Sequence, residues 1–132
     1  MILTTTQKYQ LNQIRQSHRL SLLLLCGSQI GTQVHPNSDT DIAILRQPGV
    51  LELDSLKLIN QLHLVFHTEK IDLIDITHAD PLLLHSITTN SILLSGRLHE
   101  LELLQLKAFH LYNDYQPYLK LEREFVQERL SQ

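Results

Sequence analysis

The chain has 132 residues, 42% of them hydrophobic, and a formal charge of −3, with a pI near 6.2. That length suits one domain, 1–132, with a real core and no room for a second, and the acidic balance offers no general basic surface to a long nucleic acid. A single cysteine, Cys26, excludes an internal disulfide; it reads as a small core hydrophobe in a reducing, cytoplasmic setting.

Thr4 followed three residues later by Gln7 has the form of a capping box, and Leu11, Ile14 and His18 fall at helical spacing. They predict a first helix from about Thr5 to Arg19. Ser21 to Cys26 is an apolar run ended by Gly27, the pattern of a strand covered on both faces. No secretory leader or membrane span is expected, since the first twenty residues are polar and Leu22 to Leu25 is far too short to cross a bilayer. His35, Pro36 and Asn37 predict a turn leading into a second apolar run headed by Asp39 and Asp41.

Gln47, Pro48 and Gly49 make the next break, after which Leu53, Leu56, Ile59, His63 and Phe66 trace one face of a helix. His63 and His67 are four apart, but no third ligand stands at a recognised zinc spacing, so packing and surface roles are expected of them. Ile71 to Ile76 predicts a third strand, and Asp80-Pro81 an N-cap with proline as the first residue of a short helix through about Thr89. Ser91 to Ser95 suits a brief edge strand before Gly96. From Arg97 the spacing of Leu98, Leu101, Leu104, Ala108 and Leu111 predicts a helix that bends or stops near Pro117. A second amphipathic helix is expected over the tyrosine-bearing tract Tyr112 to Gln132, whose apolar stripe either folds back on the core or docks a partner.

The stretch from Cys26 to Leu45 is the part best suited to chemistry. On a strand, Asp39, Asp41 and Ala43 share one face while Ile42 and Ile44 share the other. Two converging carboxylates repel, and a hard divalent cation such as Mg²⁺ removes the repulsion, completing its shell with water and substrate phosphate oxygens. Gly27 lets backbone N–H groups approach an anionic oxygen and Ser28 adds a hydroxyl donor. Farther on, Asp72 and Asp75 are three residues apart and so face opposite sides of a strand. Only one of them can join the pair.

Gly27-Ser28, ten residues, then Asp39-x-Asp41 resembles the signature of the minimal nucleotidyltransferases of the DNA polymerase β superfamily. The resemblance implies an α/β (α+β) nucleotidyltransferase fold, a mixed sheet flanked by helices, with C-terminal helices over about 97–132. It also implies a third acid from a later strand, and the alternating aliphatics that follow select Asp72. Asp39, Asp41 and Asp72 are then the expected catalytic residues and Mg²⁺ ligands, with Gly27 and Ser28 on the phosphates of ATP. Larger superfamily members carry extra substrate domains, whereas a chain of this size resembles the antitoxins paired with small helical HEPN ribonuclease toxins in a type VII-like module. The implied activity is transfer of AMP from ATP to a toxin tyrosine within a hetero-oligomer, with no nucleic acid substrate and no membrane. One departure stands out: Ile30, Gly31 and Thr32 occupy the place where many members carry a small residue, a basic residue and glycine. A binding module that neutralises its partner by occlusion, and a nucleotidyltransferase acting on a small molecule, are the two alternatives.

Overall fold

The computed structural model describes residues 2–26 and 40–130. Along them run α1 (Thr5–Ser17), β1 (Leu20–Cys26), β2 (Thr40–Arg46), α2 (Ser55–Phe66), β3 (Ile71–Asp75), α3 (Pro81–Thr89), β4 (Ser91–Gly96) and α4 (Leu98–Leu130). The predicted turn at His35, Pro36 and Asn37 lies outside the described residues.

The helix starts follow from local chemistry. Thr4 accepts the Gln7 N–H at 3.1 Å while its own N–H donates to Gln7 Oε1 at 3.0 Å, so two otherwise orphaned donors are satisfied in a reciprocal pair. Asp80 accepts the Leu83 N–H at 2.9 Å, and Pro81 occupies a first-turn position where no N–H is needed.

The four strands form one mixed sheet in the order β3-β2-β1-β4. β1 is antiparallel to both β2 and β4, and β2 is parallel to β3. Alternation along the central strands splits the core in two. Leu23, Leu25, Ile42 and Ile44 pack with Leu11 and Ile14 of α1 and Leu58, Leu62 and Val65 of α2. Leu22, Leu24, Cys26 and Ala43 pack on the opposite face with Leu84 and Ile87 of α3 and Leu101 and Ala108 of α4. Both faces of the sheet are covered, which is why β1 is apolar at nearly every position. Leu20 joins the α1/α2 layer although strict alternation would send it with Leu22; a register shift between Leu20 and Leu22 turns the strand between them.

Two helical expectations change. In α2 the buried stripe is Leu58, Leu62 and Val65, with Leu56 71% exposed, so the face is rotated by about one residue from the expected one. The helix is apolar around much of its circumference, and packing against α1 and β3 chose among rival stripes. At the C-terminus the helix does not stop near Pro117: α4 is one 33-residue element with Pro117 inside it. Proline leaves the Asn113 carbonyl without its helical donor, but both residues are exposed and water can serve that carbonyl. The seam of α4 runs through Leu101, Leu104, Ala108, Tyr112, Tyr115 and Leu119, not through Leu98 and Leu111, which face solvent.

Candidate functional site

One row of residues crosses the whole sheet. Ser91 of β4 is paired with Cys26 of β1, Cys26 with Asp41 of β2, and Asp41 with Asp72 of β3. Directly opposed residues on neighbouring strands point to the same face, and Cys26 and Ala43 place that face on the α3/α4 side. Asp41 is half-buried and Asp72 exposed. The register thus sets two of the three expected acids side by side at one end of the sheet, on different strands. Asp39, Gly27 and Ser28 lie outside the described residues. Among the described residues no group of three or more histidine, cysteine or acidic side chains is placed to hold a metal. Asp41 and Asp72 supply oxygen donors only, on one face and open to solvent on the β3 side, which suits Mg²⁺ rather than a thiolate- or imidazole-seeking metal.

Asp75 is engaged elsewhere. Its Oδ1 accepts the Thr77 N–H at 3.0 Å and the Thr77 hydroxyl at 2.6 Å, and its Oδ2 meets Arg46 Nε at 3.0 Å. The Arg46 guanidinium also donates to the carbonyls of Val50 and Leu51. This cluster ties the ends of β2 and β3 to the segment before α2. Asp75→Asn is expected to lower stability by about 1–2 kcal/mol through loss of the charge-assisted bonds while leaving the Asp41/Asp72 pair in place. Denaturant unfolding measures the loss.

Cys26 is 3% exposed, and its thiol donates to the Asp41 carbonyl at 3.5 Å. Burial pushes the thiol up from 9.0 to about 11; the Asp41 charge adds to the rise, and a hydrogen bond with the Ala43 backbone opposes it. Below pH 9 both folded and unfolded chains keep the proton and this contribution to stability is complete. Between pH 9 and about 11 the unfolded chain ionises first, so stability falls. Unfolding at pH 8 and pH 10.5 should show a steeper alkaline loss in the wild type than in Cys26→Ala. The sequence marked Cys26 as a core residue, which the burial bears out; its place in the row beside Asp41 could be anticipated only from its adjacency to Gly27.

Helices on both faces of a mixed sheet, with paired acids where β2 and β3 begin, define a nucleotidyltransferase fold. Residues 9–100 match the family model described as polymerase beta, nucleotidyltransferase, and the chain belongs to that family. Solved structures like it include chains of toxin–antitoxin complexes. A chain of the crystal structure of the toxin-antitoxin with AMP-PNP is 26% identical, with a TM-score of 0.68, over 95% of this chain and 98% of that one. A chain of a toxin-antitoxin MntA-HpeT mutant, with two aspartate-to-glutamate changes, is 25% identical at a TM-score of 0.67, over 95% and 98% of the two chains. A third structure, of tri-AMPylated Shewanella oneidensis HEPN toxin in complex with MNT antitoxin, is 22% identical at a TM-score of 0.62, over 96% and 98%. At that identity the likeness is one of fold. No curated protein matches the chain.

Proposed function

We propose that this chain is the antitoxin of a toxin–antitoxin pair and a Mg²⁺-dependent protein adenylyltransferase, moving AMP from ATP to a tyrosine of a helical HEPN ribonuclease toxin in the cytoplasm. The observation that carries the reading is the register of Asp41 against Asp72 on adjacent parallel strands. Family membership and the likeness to a toxin–antitoxin chain crystallised with AMP-PNP support it.

Asp39, Asp41 and Asp72 would hold the metal, and Gly27 and Ser28 the triphosphate. Bound there, Mg²⁺ supplies neutralisation of the charge that develops on the phosphate oxygens. The acceptor hydroxyl oxygen bonds to the α-phosphorus as the bond from that phosphorus to the bridging oxygen breaks, and pyrophosphate leaves with the electron pair. Asp72, exposed on β3, is the acid open to an incoming macromolecule, and it receives the hydroxyl proton. Asp41 is flanked by Asp72 on one side and buried Cys26 on the other. Its carboxylate is thus oriented by the sheet and not by a mobile loop.

Intact mass of the co-expressed partner, with and without this chain and ATP, tests the reading. A gain of one or more AMP units is expected. The missing basic residue at Ile30-Gly31-Thr32 favours occlusion as the second reading. A partner silenced without any mass change, and equally by an Asp41→Asn variant, would establish that one instead.

A further inference from the structure

Cations on or beside the strands are divided between the two ends of the sheet. Arg19 precedes β1, Arg46 closes β2 and Arg97 follows β4. The pairings of Leu20 with Arg46 and of Leu22 with Gly96 gather all three at the end away from Asp41 and Asp72. Lys70, one residue before β3, stands at the other end, beside the acids. Its backbone is held on both sides: the carbonyl accepts the Thr40 N–H at 2.7 Å and the N–H donates to Thr68 Oγ1 at 3.2 Å. Ile71 is buried in the α1/α2 layer, so alternation sends Lys70 with Asp72 to the opposite face, about 7 Å apart along the strand. Lys70 is exposed and has no ion-pair partner among the described residues.

A lysine fixed there answers a charge imbalance. Paired carboxylates and a polyphosphate outnumber a single divalent cation, and the sequence from Gly27 to Asp39 holds no lysine or arginine to offset them. Arg46 cannot serve, since Asp75 and the Val50 and Leu51 carbonyls engage it at the far end. Strand order decides which phosphate Lys70 meets. Gly27 and Ser28 follow β1, Asp41 is on β2, and β3 lies on the outer side of β2. Lys70 therefore approaches from the side away from the triphosphate seat, where the acceptor enters, on a flexible four-carbon stem. We infer, resting on the nucleotidyltransferase reading of the site, that Lys70 binds the α-phosphate of the nucleotide. Its ammonium donates to a non-bridging α-phosphate oxygen and stabilises the charge that gathers there as the acceptor attacks.

α,β-Methylene-ATP, which cannot donate AMP, tests this by calorimetry with Mg²⁺ and no partner, and AMP transfer to the co-expressed partner is followed separately. Lys70→Met should weaken analogue binding about fivefold or more and slow transfer at saturating ATP about 10²-fold, with the melting temperature unchanged. Lys70→Arg keeps a phosphate-seeking charge and should hold binding within about twofold of wild type. Arg97→Met removes an equal charge at the far end and should leave both readouts as they were. Analogue binding that Lys70→Met leaves within about twofold of wild type overturns the inference. So does an equal loss in Arg97→Met, since net charge and not position would then be responsible. A wild type that binds the analogue through Lys70, yet never changes the partner's mass, upholds this inference and sinks protein adenylylation alone. A wild type that binds no analogue sinks both.

Discussion

Asp41→Asn is expected to reduce nucleotidyl transfer by about 10³-fold or more while leaving the melting temperature unchanged or slightly raised. The side chain keeps its shape but loses a negative oxygen, and charge neutralisation by a divalent cation at a phosphoryl centre is worth several kcal/mol. At about 1.4 kcal/mol per tenfold, a loss of roughly 4 kcal/mol accounts for three decades. Stability moves the other way because Asp41 and Asp72 are directly paired across β2 and β3, and opposed like charges weaken a strand pair by a few tenths of a kcal/mol. Radiolabel transferred from α-labelled ATP, compared at equal folded concentration with the Asp75→Asn control, measures the effect. Transfer that survives Asp41→Asn within tenfold would falsify the metal-ligand role and leave the register as a structural coincidence.

Gly96→Ala is expected to be the most damaging single-carbon change for the fold. Gly96 lies at φ +128° at the end of β4, and an added Cβ would stand 2.6 Å from the Ser21 carbonyl oxygen and 2.8 Å from Leu22 Cδ2. The first of those neighbours is backbone of β1 and the second is wholly buried, so neither can yield cheaply. Backbone strain and overpacking together suggest a loss of about 3 kcal/mol, or a fall of roughly 10 °C in melting temperature for a chain of this size. Gly96 pairs with Leu22, whereas the acidic row crosses β4 at Ser91. Transfer per folded molecule should therefore be preserved. A melting point within 2 °C of wild type would show that β1 gives way freely.

Much of this architecture was legible because its causes are local. The capping box at Thr4 and Gln7, the Asp80-Pro81 start and the apolar run through Cys26 depend on neighbours a few residues away, and each stands where the residue pattern placed it. The acids are a mixed case. Alternation alone showed that Asp72 and Asp75 face opposite ways, but only family likeness selected Asp72 as the partner of Asp41. The two hydrogen bonds and the ion pair that bind Asp75 to Thr77 and Arg46 join segments up to 29 residues apart, a closure that no local spacing announces.

Element types, cap positions and the run of acids belong to the sequence itself, since capping, turn chemistry and strand alternation act over a handful of bonds. Tertiary structure decided the phase of α2, where several apolar faces compete and only contact with α1 and β3 separates them. It also carried α4 through Pro117, because an exposed carbonyl can turn to water where a buried one could not. And it set Asp41 against Asp72, because pairing register between strands some thirty residues apart is chosen by the whole apolar face that must be buried.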